Sequence, residues 1–176
     1  MLHLSGSEFT DLFRTCQRSA FHLETHDTYG VPNESKPFRK FLAGEEDDYR
    51  WLSDWLTIVR DATSRGVQFT RARVVTEPHV DYTRWGLVVA RENIAAGEDI
   101  RYLPRQRVDP GDLTADDYWL FDEKTVAFTL FTPNGAAAGA AVTRDHTIVD
   151  RCRRVRDIVW QRAVPHADYV RVHVGR

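Results

Sequence analysis

Side chains capable of acid–base chemistry are spaced two residues apart in the stretch VTEPHVDYTRW, residues 75–85. Glu77, His79 and Asp81 could act as a general acid, a general base and an orienting carboxylate if the fold placed them within hydrogen-bond reach. The same stretch has the features of a helix start, because Pro78 suits a first turn and carboxylates there lie near unpaired backbone amides. We interpret the stretch as a helix start and keep a hydrolase or nucleotide-processing site as the alternative.

The remaining motifs do not indicate a metal site or a known nucleophile. The other histidines show no His-x-His or i, i+4 spacing to His79, and a metal would need further ligands. Cys16 and Cys152 lie far apart without a Cys-x-x-Cys motif, which predicts two buried thiols and no disulfide. The chain lacks a G-x-S-x-G nucleophile motif and a G-x-x-x-x-G-K phosphate loop. We therefore expect neither a metal nor another cofactor.

The predicted strand VQFTRARVV carries two arginines, Arg71 and Arg73, between apolar neighbours on one of its faces. A partly buried arginine needs a carboxylate or a ligand anion beside it. The two side chains therefore predict either an internal ion pair or a binding site. The internal partners that we expect are three carboxylates: Glu77, Asp99 and Asp122.

A binding site has a physical basis at this junction of strand and helix. Ligands of open α/β sheets collect beyond the carboxyl ends of strands, and helix N-termini there favour anions. The sequence thus predicts a pocket for a small anion or a peptide, lined by Arg71, Arg73, Glu77, His79, Asp81 and Arg84.

Hydrophobic periodicity predicts the elements that position these side chains. Helices are expected in SGSEFTDLFRTC, in ESKPFRKFLAG, in the segment from Asp47 or Asp48 to Gly66, in PHVDYTRWGLVVARENIAAG, and in TRDHTIVDRCRRVRDIVWQRA with Thr143 or Asp145 as its cap. Strands are expected in SAFHLE, VQFTRARVV, DIRYLPR, DYWLFD, TVAFTLFT and AAAGAAVT. Residues 1–66 are then mostly helical, and residues 67–176 combine strands with helices. This order predicts an α/β (α+β) fold in which a single mixed β-sheet is covered by helices.

Chain length, composition and net charge limit the expected size and surroundings of the protein. The 176 residues suit one domain, so we predict a single domain over residues 1–176. Without a membrane-length apolar run or a signal-peptide pattern, the chain is expected to be soluble and cytoplasmic. The net charge of -2 gives no general basic surface for direct nucleic-acid binding. The run RCRRVR is flanked by Asp150 and Asp157 and fits a solvated helix face.

Segments spread over most of the chain resemble a known family. They are FHLET, ESKPFRKFLAG, RVVTEPHVDYTRW, AGEDIRYLPR and RDIVWQRAVPHADY. The family that they resemble consists of small, uncharacterised actinobacterial proteins often encoded beside Xre-type helix-turn-helix regulators. The resemblance implies a helix-turn-helix transcription regulator as a partner, and it implies no chemistry.

The order of elements from Val67 onward also resembles one half of a phospholipase D-like domain. That superfamily carries His-x-Lys, four further residues and Asp around its active strand. With Asp122 of WLFDEKTVAF at the aspartate position, the histidine and lysine positions fall on Ala115 and Asp117. The resemblance then implies a member without the histidine nucleophile, in which no phosphoryl-enzyme intermediate can form.

The later positions of that superfamily pattern also differ. Its glycine and serine positions fall on Thr129 and Leu130, and Asn134 lies near the expected asparagine. Phospholipase D-like folds without catalytic residues serve elsewhere as ligand-sensing modules attached to transcription regulators, which is the use that the resemblance implies here.

These observations predict a non-catalytic regulatory or interaction protein with a small anion- or peptide-binding pocket. The hydrolase alternative requires Glu77, His79 and Asp81 in one cleft. The binding interpretation requires only that the arginines converge.

Overall fold

The structure of the chain is a computed structural model, which describes residues 1–4, 6–132 and 137–173. Its strands are β1 (Leu2–Leu4), β2 (Ser19–Glu24), β3 (Gln68–Val75), β4 (Asp99–Pro104), β5 (Tyr118–Phe121), β6 (Thr125–Phe131), β7 (Ala137–Thr143) and β8 (Val164–Pro165). Its α-helices are α1 (Gly6–Thr15), α2 (Ser35–Leu42), α3 (Ser53–Ser64), α4 (Asp81–Ala95), α5 (His146–Arg162) and α6 (His166–His173).

The strands form one mixed sheet of 8 strands in the order β1-β7-β6-β5-β2-β3-β4-β8. Strands β2, β3 and β4 are parallel, and the other neighbours are antiparallel. The predicted α/β fold with a single mixed sheet covered by helices is confirmed. Because β2 to β4 are parallel, their carboxyl ends, at Glu24, Val75 and Pro104, meet at one edge of the sheet.

Helices cover both faces of the sheet because successive strand residues point to opposite sides. On β3, Phe69 packs into a core formed with α1, α3 and α4, where it contacts Phe13 and Trp55. Ala72 and Val74 face the other side and pack in the core that also contains the apolar residues of α5. Each core contains one of the two cysteines, and both thiols are buried and free, as predicted.

The structure corrects the predicted start of α4. The helix begins at Asp81 with Val80 as its N-cap, and no side chain caps it. Pro78 is therefore not in the first turn, and the Glu77–Pro78 peptide bond is cis. Asp81 still places a negative charge in the first turn, where the helix dipole favours it.

Other helix ends agree with the sequence more closely. Asp145 caps α5, because its Oδ1 accepts hydrogen bonds from the backbone amides of Thr147 and Ile148 at 3.0 and 3.2 Å. Helix α3 starts at Ser53 after a 3-10 turn, whose first amide donates to Asp48. Elements absent from the prediction are β1, β8 and α6.

The basic run on α5 is partly paired within the protein. Cys152 and Val155 point into the core, while Arg153 and Arg156 pair with Glu123. Among the helices that the structure describes, none combines the length and apolar character that a membrane crossing requires.

Candidate functional site

Arg71 and Arg73 lie on the face of β3 that α3 and α4 cover, and both are paired within the protein. Nη1 of Arg71 donates to Oε1 of Glu24 at 2.6 Å, and its Nε donates to Oε1 of Glu98 at 2.8 Å. Arg73 donates from Nε to the other carboxylate oxygen of Glu24. Of the two predicted alternatives, the structure shows the internal ion pair, and the two arginines converge on one carboxylate.

The partners expected for the arginines were wrong. Glu24 lies directly beside Arg73 in the parallel pairing of β2 with β3, so both side chains share a face. Asp99 pairs with Arg101 at 3.2 Å, and Asp122 accepts hydrogen bonds from backbone amides before β2. The sequence held one signal for the true partner, because His22 and Glu24 of SAFHLE are polar residues on the same face of a buried strand.

The buried network pairs each guanidinium group with a carboxyl group. Burial opposes ionisation of Glu24, but the guanidinium groups of Arg73 and Arg71 outweigh it and lower the pKa of that carboxyl to about 2. Burial raises the pKa of Glu98, and the bidentate contact with Arg71 opposes that rise. Burial lowers the pKa of His22 to about 3, so this imidazole is neutral near pH 7. Two guanidinium groups thus face two carboxylates.

A cavity of about 410 Å³ opens above this network, between β3 and the helices α3 and α4. Aromatic rings form much of its wall: Trp51, Trp55, Tyr82, Trp85 and Trp119. Val31, Asn33 and Glu34 lie at its edge. Gly86 of α4 lets Arg73 approach the helix, since a Cβ at this glycine would lie 2.5 Å from Nη1 of the arginine. The cavity therefore combines aromatic surface with a paired cationic floor.

The structure separates the other predicted site residues into two places. Glu77 and His79 both contact the hydroxyl of Tyr169, at 2.7 and 3.0 Å, and Nδ1 of His79 lies 2.9 Å from the backbone oxygen of Thr76. Asp81 and Arg84 are exposed and pair with each other on α4. Tyr169 was missed by sequence reasoning because it lies on α6, which had no predicted pattern.

At the histidine and lysine positions of the superfamily pattern, the structure has a surface residue and a buried residue with a structural role. Ala115 is exposed, whereas Asp117 is buried and accepts hydrogen bonds from the segment that follows β2. Its carboxylate accepts hydrogen bonds from the amide and hydroxyl of Thr25, at 2.7 and 2.6 Å, and from the hydroxyl of Tyr29. His26 Nδ1 lies 3.2 Å from the same carboxylate.

Asp122 also has a structural role in the turn between β5 and β6. Burial opposes its ionisation, but hydrogen bonds from the amides of Arg18, Ser19 and Gln17 outweigh this effect and lower its pKa. Thr129 lies on β6, and Asn134 lies outside the described residues. Within the described ranges, no group of three or more His, Cys, Asp or Glu side chains could hold a metal ion.

Comparison with known proteins places the chain in a family. The family described as "Domain of unknown function (DUF6879)" matches residues 7–171. The chain belongs to this family. None of the curated proteins compared with the chain matches it in sequence.

Solved structures of other proteins have folds similar to that of this DUF6879 chain. Nuc from Salmonella typhimurium, a phospholipase D family member, superposes with a TM-score of 0.55 at 12% identity, over 90% of this chain and 88% of that one. NucT from Helicobacter pylori gives a TM-score of 0.52 at 11% identity, over 90% and 89%. The expected phospholipase D-like fold is confirmed, and it extends over most of the chain instead of beginning at Val67.

A further similar structure is TrmBL2, an archaeal chromatin protein whose structure shows a novel mode of DNA binding. Its TM-score is 0.47 at 12% identity, over 89% of this chain and 48% of that one.

Proposed function

We propose that this chain is a non-catalytic regulatory or interaction protein that binds a small ligand in the cavity beside Arg71 and Arg73. The observation that carries the proposal is the buried Asp117 at the position where the superfamily pattern requires a lysine. A phosphodiester carries negative charge, so a catalytic site for it needs cationic side chains and a nucleophile. Here a carboxylate and the methyl group of Ala115 stand at those positions.

The hydrolase alternative has less support from the geometry. It requires Glu77, His79 and Asp81 in one cleft, and Asp81 instead forms a surface pair with Arg84. Glu77 and His79 do meet, through Tyr169.

The cavity supports a binding role because its size and composition are those of small-molecule sites. Its volume of about 410 Å³ lies within the usual range, and its wall combines aromatic and aliphatic side chains with a few polar groups. An anion would meet arginines that Glu24 and Glu98 already neutralise. Of the two predicted ligand types, a peptide therefore fits the cavity better than an anion does. Any other ligand without net negative charge fits for the same reason.

The proposed partner is an Xre-type helix-turn-helix regulator, as in the actinobacterial proteins that the sequence resembles. The net charge of -2 supports contact with DNA through such a regulator instead of direct binding. A cytoplasmic setting for the pair is part of the proposal. Co-elution of the purified chain with a regulator from the same gene neighbourhood tests this part of the proposal. Separate elution at concentrations well above micromolar would contradict it.

Catalysis is tested with the purified chain and bis(4-nitrophenyl) phosphate. We expect no turnover above that of His79→Ala, and His79→Ala should melt like the parent chain. The exposed His146→Ala serves as the matched control. Turnover that is lost in His79→Ala but kept in His146→Ala, with unchanged melting curves, would overturn the non-catalytic proposal.

A further inference from the structure

The charge of the cavity is set by Glu34 once the arginines are accounted for. Arg71 and Arg73 lie against Glu24 and Glu98, which give each guanidinium group a carboxyl partner. The other ionisable side chains in the cavity wall are His22, Tyr82 and Glu34, and burial disfavours the charged forms of His22 and Tyr82. An ionised Glu34 therefore adds a negative charge to the cavity wall that no guanidinium group pairs with in the described contacts.

Glu34 has little internal compensation for that charge. In the described part of the chain, its hydrogen-bond donor is the neutral hydroxyl of Tyr82. Burial raises the pKa of Glu34, and the hydroxyl of Tyr82 and the charge of Arg73 only partly oppose that rise. A buried carboxylate with incomplete compensation is stabilised by any cation placed beside it.

The aromatic wall next to Glu34 is suited to the same kind of ligand. Tyr82 and Trp85 lie edge to face with ring centroids 5.3 Å apart, and Trp51 stacks on Trp85 at 5.6 Å. Aromatic faces attract cations through the ring quadrupole. The cavity already contains one such contact, because the guanidinium of Arg71 lies 5.9 Å from the ring centroid of Trp55.

We propose that the cavity binds an organic cation, whose ammonium group lies among Trp51, Tyr82 and Trp85 with Glu34 as its counter-ion. This inference rests on the proposed function, which assigns the cavity as the ligand site. The ligand inferred here is a cation of the alkylammonium class, whereas the sequence predicted a small anion or a peptide. Glu34 lies at the edge of the cavity and also lines the neighbouring cavity of about 370 Å³ next to α2, so a ligand tail can extend toward that side.

Choline and its uncharged analogue 3,3-dimethyl-1-butanol test the charge directly, because they have nearly the same shape. The full ¹⁵N-labelled chain has 5 tryptophans, whose indole N–H signals can be followed during titration. We expect choline to shift the signals of Trp51 and Trp85 saturably and to leave Trp160, on the opposite face of the sheet, unchanged. The uncharged analogue should bind at least about tenfold more weakly, as expected for a desolvated cation–π contact with a counter-ion.

Variants assign the binding to Glu34. Glu34→Gln should weaken choline binding by about tenfold or more, whereas the exposed Glu46→Gln should not change it. The comparison of the two ligands on the parent chain remains decisive if Glu34→Gln fails to fold.

Equal binding of both compounds, or binding of neither, would overturn the cationic ligand. Binding of benzoate at the same indole signals, without choline binding, would also overturn it while leaving the cavity as a ligand site. Phosphodiester turnover that depends on His79 would instead overturn the proposed function, so the two failures are distinguishable.

Discussion

Glu24 is the shared ion-pair partner of the two buried arginines, Arg71 and Arg73. Its two carboxylate oxygens engage Arg71 and Arg73, and its side chain is only 7% exposed. Ion pairs this deeply buried contribute little net stability compared with an apolar core, but breaking one leaves an uncompensated charge. The consequence of losing Glu24 is therefore much larger than that of losing a surface partner.

Glu24→Gln is expected to lower the free energy of unfolding by about 3–5 kcal/mol, because both guanidinium groups lose their shared counter-charge. Arg84→Ala removes one half of the exposed Asp81–Arg84 pair and should lower it by less than about 1 kcal/mol. Urea unfolding at neutral pH measures both values. Equal effects of the two substitutions would show that breaking the buried ion pairs costs no more stability than breaking an exposed pair.

The same variant predicts a pH dependence. The folded-state pKa of Glu24 is lowered to about 2 from an ordinary value of 4.5. The stabilisation is thus fully present above the ordinary value and is lost as the pH falls toward the folded-state value. The difference in unfolding free energy between the parent chain and Glu24→Gln should be smaller at about pH 3 than at about pH 6. A difference that grows on acidification would contradict the assignment.

At the scale of elements, the close approach of α4 to β3 depends on Gly86. Alanine in a helix is ordinarily about 0.5–1 kcal/mol better than glycine. Here the added Cβ would lie 2.5 Å from Nη1 of Arg73, whose guanidinium Glu24 holds in place. Gly86→Ala should therefore destabilise by about 1–3 kcal/mol, the usual effect of overpacking.

A double variant separates this contact from other effects of Gly86→Ala. In an Arg73→Met background, the obstructing guanidinium is absent, so Gly86→Ala should become neutral or stabilising. The same destabilisation in both backgrounds would mean that the strain arises elsewhere in α4. Thermal and urea unfolding of the four proteins in this cycle give the comparison.

The two aspartates at the starts of α4 and α5 have different roles, although they look alike in the sequence. Asp145 accepts two backbone hydrogen bonds at the start of α5, whereas Asp81 caps no amide of α4. Asp145→Ala should thus lower stability by about 0.5–2 kcal/mol, as a lost cap does. Asp81→Ala should have the smaller effect, since it removes only a charge near the helix dipole and an exposed ion pair with Arg84. The reverse order in urea unfolding would contradict the observed caps.

For the whole molecule, the sheet joins two cores that lie on its opposite faces. Leu56 belongs to the core beneath α3, Val155 belongs to the core beneath α5, and each is only 5% exposed. Leu56→Ala and Val155→Ala are each expected to lower the unfolding free energy by about 1–4 kcal/mol. The exposed Ile94→Ala is the control. Unchanged denaturant midpoints for either buried variant would mean that its apolar face is wrongly assigned.

The sequence alone determined the features that arise from local patterns. The period of two placed Arg71 and Arg73 on one face, helical spacing defined the buried face of α5, and Asp145 was one of the two caps predicted for it. These predictions held because each depends only on residues within a few turns of one another. The strands β1 and β8 were missed, since two or three strand residues carry no period, and the eight-residue helix α6 was missed as well.

Only the tertiary structure decided which groups meet. The placement of β2 beside β3 chose Glu24 as the partner of the arginines, 47 and 49 residues away, over the nearer Glu77. The same strand order leaves Glu34 and the tryptophans around one cavity, and α6 brings Tyr169 to His79. Strand order and helix docking are set by non-local packing, which residue spacing does not encode. The arginines' need for a carboxylate was therefore evident in the sequence, whereas the identity of that carboxylate was not.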